Sequence, residues 1–282
     1  MRPFLLFVFL MLSIPILAQT LNIRERKPDA LNGSQFAASI SDTAIHLKQR
    51  EKIIYKAIKK GNIPQFYRKL VKVTDTATID GNLTTIAYYV IPDYLAIGTD
   101  SNYFYCPMTP ALAQRVANKL KCSLPTRKMV NTIYQQAGTK LSPLPIPPSP
   151  AMITVPVFIK HVGMLKQQRD SLGNKFMLGN LVGGDKKDVI VSNRIYNDTS
   201  NYHVVIYGWH KISTGKAIQP LYARHLNNWA DYSHGIRLIQ NRVWVNGKAT
   251  SIKKVLRSEH LNILLSDEGV IKKPYYPAKT NY

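Results

Sequence analysis

Residues 70–91 read LVKVTDTATIDGNLTTIAYYVI, and this stretch decides the fold class. Two runs rich in β-branched and aromatic residues, Leu70–Val73 and Thr84–Ile91, flank the sequence Asp80-Gly81-Asn82. Adjacent aspartate and glycine favour a tight turn, and β-branched side chains favour extended backbone. The stretch therefore predicts two antiparallel strands, to which Tyr103–Tyr105 is predicted to add a third.

Helices are predicted on both sides of these strands. Apolar residues with helical spacing run from Ala44 to Ile58, and Gly61 ends that segment. Thr109 and Thr126 are each expected to begin a further helix, because threonine is a good N-cap residue. We therefore expect a single α+β domain, with a mainly antiparallel sheet and flanking helices.

The second half of the chain is predicted to add short strands and a last helix. Strands are expected at Val155–Ile159, Tyr202–Tyr207, Ile236–Ile239 and Arg242–Val245. The last two are expected to pair with each other as a hairpin. Ser251 is predicted to cap a helix that ends at Leu256.

The domain organisation follows from composition. Residues 1–18 combine Arg2, an apolar run and a final small residue, which is the pattern of a secretory signal peptide. Residues 19–40 are expected to form a flexible arm, and residues 272–282 a tail. Residues 41–271 form the predicted domain, with a proline-rich connector at 142–150.

The apolar run near the start bears on location. It is shorter than the about 20 residues that a membrane span needs, so a cleaved signal is favoured over an anchor. After signal removal no membrane span is expected. The mature chain is predicted to be secreted or periplasmic, a setting that permits a disulfide between Cys106 and Cys122. Two buried free thiols are the alternative.

The formal net charge is +22 at pH 7, from 38 lysines and arginines against 16 aspartates and glutamates. A charge of this size attracts polyanions. We expect the partner to be an anionic polymer or a cell-wall substrate, and nucleic acid is not the expected partner. The alternative is that a basic surface is a general property of an exported protein.

Groups able to move protons are concentrated between His203 and Arg237. Four of the seven histidines lie there, and Asp231-Tyr232-Ser233-His234-Gly235 forms a continuous polar run. His210 and His234 are the acid–base candidates, Ser233 a candidate nucleophile and Asp231 the group that orients a histidine. The residues predicted to bind substrate are Lys187, Asp188, Tyr207, Trp209, His225 and Arg237.

These residues also permit a metal site. His210, His225 and His234, with Asp231 or Asp188, would suffice to hold zinc with one open position. However, the chain has no His-Glu-x-x-His and no other compact ligand spacing. No cofactor is therefore predicted, and zinc remains the alternative.

Two resemblances rest on these residues. Tyr-Gly-Trp-His at 207–210, with Asp-Tyr-Ser-His-Gly-Ile-Arg-Leu at 231–238, resembles a family of uncharacterised exported proteins. That resemblance covers most of the mature chain and implies no activity. Ser-His-Gly-Ile-Arg at 233–237 is similar to the active-site segment of L,D-transpeptidases, which remodel peptidoglycan cross-links. Their nucleophilic cysteine is absent here, so thiol transpeptidation is not implied.

The leading interpretation is an exported hydrolase. It would act on an amide or ester bond of an extracellular or cell-wall polymer, with a His/Asp/Ser site. The competing interpretation is a non-catalytic module that binds anionic polymers. A third is a structural exported protein whose histidines are incidental.

Overall fold

The computed structural model describes residues 19–198 and 201–278, so the predicted signal peptide at 1–18 lies outside the described residues. The α-helices in these ranges are α1 Gly33–Ser39, α2 Leu47–Lys59, α3 Pro110–Lys119, α4 Arg127–Gln136, α5 Val155–Ser171 and α6 Ile252–Arg257. The strands are β1 Val71–Ile79, β2 Asn82–Val90, β3 Ala96–Gly98, β4 Tyr103–Tyr105, β5 Cys122–Ser123, β6 Thr139–Lys140, β7 Val182–Gly183, β8 Lys187–Val189, β9 Ile206–His210, β10 Ala217–Tyr222, β11 His234–Gly235, β12 Ile239–Gln240, β13 Arg242–Val245 and β14 Lys248–Ser251.

The β1–β2 hairpin forms as predicted. Ile79 pairs with Asn82, and Asp80 and Gly81 between them have φ angles of 48° and 77°. Two successive positive φ angles give a turn whose twist matches that of the flanking strands. β2 then becomes an inner strand of the larger sheet, with β1 on one edge and β12 and β13 on the other.

The predicted hairpin between 236–239 and 242–245 does not form. Ile239 pairs with Val90 of β2, and Trp244 pairs with Ala87 of the same strand. Both segments therefore lie along one edge of β2 instead of against each other. β13 pairs instead with β14, through the turn at Asn246-Gly247.

A second sheet has the strand order β10-β9-β8-β11 and carries most of the candidate residues. β8 pairs antiparallel with β9 and parallel with β11. The chain is thus a single α+β domain with mainly antiparallel sheets, which confirms the predicted fold class.

Three helices, α3, α4 and α6, have the predicted N-cap residues. The Thr109 hydroxyl accepts a hydrogen bond from the backbone of α3, and the Thr126 hydroxyl does the same for α4. Ser251 caps α6. Each cap satisfies a backbone N–H group that has no partner within its helix.

The predicted strand at 155–159 is wrong, because these residues form the first turns of α5. The buried residues of this helix are Val155, Phe158, His161, Leu165 and Arg169, at intervals of three or four. That spacing places them on one helical face. A run of five apolar residues has no distinctive period, so the run alone did not separate strand from helix.

The two ends of the domain are also more packed than predicted. Residues 19–40 contain α1, and Leu21, Phe36 and Ile40 belong to the hydrophobic core. In the predicted tail, the buried Tyr276 hydroxyl donates to the carbonyl of Ile190 at 2.6 Å. Isolated apolar residues in polar segments have no periodicity, so their burial was not visible in the sequence. Residues 279–282 lie outside the described residues.

The proline-rich segment at 142–150 lies against α5 and the loop before β11. Its Ile146 exchanges two hydrogen bonds with the Tyr232 hydroxyl, at 2.7 and 3.0 Å. Cys106 and Cys122 are both free and buried. No helix of the described ranges is long and apolar enough to cross a membrane.

Candidate functional site

Three adjacent strands bring the candidate residues together. Lys187 of β8 pairs with His234 of β11 on one side and with Gly208 of β9 on the other. Asp188 pairs with Gly235 and Tyr207 in the same way. Because side chains alternate along a strand, Lys187 and His234 share one face and Asp188 lies on the opposite face.

Gly235 is required by this close strand contact. A Cβ at this position would lie 2.4 Å from Cδ1 of Tyr94 and 2.7 Å from Cβ of Lys186. Real Cβ atoms essentially never approach other atoms so closely. The glycine after His234 therefore lets β11 pair with β8 at this register.

Asp231 is the centre of the first face. Its Oδ1 accepts hydrogen bonds from the Ser233 backbone N–H at 2.8 Å and from the Ser233 hydroxyl at 2.6 Å. Its Oδ2 accepts from Nε1 of Trp229 at 3.1 Å and lies 3.6 Å from Nε2 of His234. Burial acts to raise the pKa of Asp231, but His234 and these hydrogen bonds lower it to about 2.

His234 is enclosed beside this carboxylate. Its side chain is fully buried, and neither ring nitrogen has a hydrogen-bond partner within 19–198 and 201–278. Burial lowers the pKa of His234 to about 4, although Asp231 acts in the opposite direction. The imidazole is therefore neutral at pH 7 and keeps a free acceptor nitrogen.

Ser233 does not contact a histidine through its hydroxyl. The hydroxyl donates to Asp231, and the whole residue is buried. A serine nucleophile needs a base within hydrogen-bond reach that removes its proton. In this geometry the Ser233 hydroxyl instead holds the Asp231 carboxylate in place.

His225 and Lys187 are both half-buried and interact electrostatically with Asp231. The His225 ring stacks on Trp229, with centroids 4.7 Å apart and planes 12° apart. Burial lowers the pKa of His225, and Asp231 opposes that shift. Burial also lowers the pKa of Lys187, whose Nζ lies 4.3 Å from the centre of the Trp209 ring.

We call Asp231, Ser233, His234, His225, Lys187 and Trp229 the Asp231 cluster. Trp209 borders it and has a φ of 56°, an uncommon backbone conformation for a large residue. Its backbone N–H donates to Lys186 at 3.1 Å and its Nε1 to the carbonyl of Asp185 at 2.9 Å. These bonds hold the indole beneath Lys187.

His210 lies away from this cluster. Its Nε2 is 3.0 Å from Oδ1 of Asn131, which also accepts from the Tyr207 hydroxyl at 2.9 Å. Its ring stacks on Tyr134 at 4.2 Å. Burial lowers the pKa of His210 to about 4. His210 and Tyr207 thus pack against α4, on the face opposite to His234.

Asp188 and Arg237 occupy the same face as His210 and are both buried. The Tyr94 hydroxyl donates to Oδ2 of Asp188 at 2.8 Å, and burial raises the pKa of Asp188 to about 7. Arg237 donates to the carbonyls of Pro92 at 3.2 Å and Val182 at 2.8 Å. The cavity that they line with His210 has a volume of about 10 Å³, which holds one water molecule at most.

The structure therefore divides the ten predicted site residues between two faces. The first face, with Asp231 at its centre, has six of them: Asp231, Ser233, His234, His225, Lys187 and Trp209. The other face has the remaining four, which are His210, Tyr207, Asp188 and Arg237. Each of these four forms a hydrogen bond with another group of the protein.

Three residues that were not predicted contact Asp231 or Tyr232. Trp229 donates to Asp231, and Lys186 Nζ donates to the Tyr232 carbonyl at 2.6 Å and lies 3.0 Å from Nδ1 of His161. Trp229 lies in the histidine-rich stretch between His203 and Arg237, and Lys186 is the neighbour of the predicted residue Lys187. His161 is 70 residues before Asp231, and no pattern in the sequence indicated it.

Among residues 19–198 and 201–278, no three His, Cys, Asp or Glu side chains are arranged to hold a metal ion. Comparisons of the chain with protein-family models, with curated proteins and with solved structures found no match. The two resemblances noted from sequence therefore stay predictions.

Proposed function

We propose that this chain is an exported hydrolase that cleaves an amide or ester bond of an extracellular or cell-wall polymer at the Asp231 cluster. One observation carries the proposal. The imidazoles of His234 and His225 and the amine of Lys187 all interact electrostatically with one ionised carboxylate, that of Asp231, and burial lowers the pKa of all three. Groups with shifted pKa values that face one carboxylate are typical of acid–base sites.

His225 is the acid–base group of the proposed reaction. It is half-buried and therefore reachable, and its lowered pKa keeps it neutral and basic at pH 7. It takes a proton from a water molecule as the water oxygen attacks the carbonyl carbon. It then returns the proton to the leaving alcohol or amine when the tetrahedral intermediate breaks down.

Lys187 and Asp231 supply the electrostatic part. The Lys187 ammonium interacts electrostatically with His225, and in the proposed reaction it stabilises the negative oxygen of the intermediate. Asp231 stays ionised, since its pKa is about 2, and stabilises the imidazolium that forms at His225. Ser233 and Trp229 hold the carboxylate by hydrogen bonds.

This assignment changes the roles expected from sequence. Ser233 becomes a positioning residue, because its hydroxyl donates to Asp231. His210 is excluded from the reacting groups, because it packs against Asn131 and Tyr134 on the other face.

The proposal is tested by incubating the purified chain with peptidoglycan and with soluble ester and amide model substrates. New carboxyl, amine or hydroxyl ends are measured by mass spectrometry. We expect His225→Gln to lower the rate about 10²–10⁴-fold without unfolding the chain. The matched control is His203→Gln, which removes a half-buried histidine 3.6 Å from the carboxylate of Asp198. Equal activity of the two variants would contradict the proposal.

A non-catalytic module for anionic polymers is the second candidate, favoured by the net charge of +22. Binding through many lysines and arginines releases counterions, so affinity should fall steeply as salt rises. If the chain retains anionic cell-wall polymer with such a salt dependence and releases no products, this candidate replaces the hydrolase.

A further inference from the structure

A second cavity, of about 540 Å³, lies between α1, the loop that joins β3 to β4, and α5. None of its lining residues belongs to the Asp231 cluster. Its volume lies within the about 300–1,000 Å³ typical of small-molecule sites. We call it the α1–α5 groove.

Much of the wall of this groove is small or apolar. Ala37 and Ala38 of α1 face Val162 and Gly163 of α5, and Leu178 lies at the border with 46% of its surface exposed. A Cβ added at Gly163 would meet no atom within 4 Å. The groove therefore has open space beside an apolar wall that a hydrocarbon chain can fill.

One buried cation lines the groove. Arg169 is 5% exposed, and its Nη1 donates to the Tyr105 hydroxyl at 2.6 Å. No other hydrogen bond of this guanidinium is formed within the described ranges. The guanidinium carbon lies 5.0 Å from the ring centre of Tyr103 and 5.9 Å from that of Phe176, and both rings also line the groove. Arg169 thus brings unused N–H donors to an apolar space.

The carboxylates that line the groove are already engaged. Asp170 accepts from Nζ of Lys166 at 2.6 Å, and Asp100 accepts from the backbone N–H groups of Gln65 and Phe66. Behind the groove, the Tyr105 hydroxyl that accepts from Arg169 donates in turn to Asp93. Asp93 and Asp185 also interact electrostatically with Arg169, and neither accepts a hydrogen bond from its guanidinium in the described ranges.

We propose that the α1–α5 groove binds an amphiphile with one anionic head group, a carboxylate or a phosphate. The head pairs with the guanidinium of Arg169, which binds planar anions through two donors. The hydrocarbon chain lies along Ala37, Val162 and Gly163. This site is separate from the Asp231 cluster and does not depend on the hydrolase proposal.

The probes are dodecanoate, dodecyl phosphate and the neutral dodecanol, titrated calorimetrically into the purified chain at physiological salt. We expect one bound dodecanoate or dodecyl phosphate per chain, with at least tenfold weaker binding of dodecanol. The tighter of the two anions identifies the head group.

The deciding variant is Gly163→Leu, which fills the groove without touching another atom at Cβ and removes a helix-destabilising glycine. It should lower affinity at least tenfold with the fold intact. Gln167→Leu is the matched control, because it adds the same side chain to an exposed position of α5 outside the groove. It should bind as the unchanged chain does.

Two results would overturn the proposal. If both leucine variants bind dodecanoate equally well, the anion adsorbs to the basic surface and the groove is not its site. If dodecanol binds as tightly as dodecanoate, Arg169 plays no part in recognition. Arg169→Gln should abolish the preference for the anion. If that variant does not fold, the comparison of dodecanoate with dodecanol still tests the charge.

Discussion

Oδ2 of Asp231 lies 3.6 Å from Nε2 of His234, and both side chains are buried. Three hydrogen bonds from protein groups stabilise the charge of Asp231, whereas the His234 ring has no hydrogen-bond partner in the described residues. The pair therefore consists of an ionised carboxylate and a neutral imidazole. This arrangement leaves a proton-accepting nitrogen inside the protein.

Replacing Asp231 should change the titration of its neighbours. Asp231→Asn removes the charge that raises the pKa values of His225 and His234. We expect the pKa of His225 to fall further below its ordinary value, measured by NMR titration of the imidazole protons. Hydrolytic activity should fall with it. An unchanged His225 titration would mean that Asp231 does not reach this ring electrostatically.

His234 should make the fold acid-sensitive. Its pKa is about 4 in the folded chain and about 6.5 when unfolded, so the unfolded state binds the proton first. Above pH 6.5 the buried, neutral His234 does not lower the free energy of unfolding. As the pH falls from 6.5 towards 4, the unfolded chain takes up a proton that the folded chain does not, and the free energy of unfolding falls by roughly 3 kcal/mol. Buried Asp188 and Asp185 have raised pKa values and act with the opposite sign.

The test is therefore a difference between variants. Urea unfolding at pH 7.5 and 4.5 should show a smaller loss of stability for His234→Asn than for the unchanged chain. His260→Asn is the control, because His260 is 76% exposed. Identical pH dependence in all three proteins would contradict burial of a neutral His234.

Gly235→Ala should destabilise the fold by about 1–3 kcal/mol, since the new methyl group collides with Tyr94 and Lys186. Gly138→Ala is the matched control, because its Cβ would meet nothing within 4 Å and its φ is not positive. Thermal unfolding measures both. Equal melting temperatures would show that β11 can shift away from β8 at little cost.

Replacing Arg237 should mainly lower the stability of the fold, whereas replacing Lys187 should mainly lower activity. Arg237→Gln leaves Asp188 and the carbonyls of Pro92 and Val182 without their buried partner, so we expect a loss of about 3–5 kcal/mol of stability. Lys187→Gln, at a half-buried position, should reduce activity with little loss of stability. If Arg237→Gln keeps its stability and loses substrate affinity, Arg237 binds substrate as first expected from sequence.

Local patterns determined much of the fold. The Asp80-Gly81 turn, the threonine caps of α3 and α4 and the serine cap of α6 involve residues within a few positions of each other. Their energetics are set by nearby backbone, so the sequence is sufficient to predict them. The density of histidines before Arg237 likewise located the Asp231 turn, where Asp231 and Ser233 are two residues apart.

The tertiary structure alone decided which candidates meet. Side chains alternate along β8 and β11, so the strand register sends His234 and Lys187 to one face and Asp188 to the other. On β9 the positive φ angles of Gly208 and Trp209 break this alternation, and His210 lies on the Asp188 face. Register depends on contacts between segments that are distant in sequence, such as Gly235 against Tyr94. His161 contacts Lys186 only because α5 packs against Tyr232, which comes 71 positions later. Local sequence patterns do not predict such contacts, because they do not indicate which distant segments pack together.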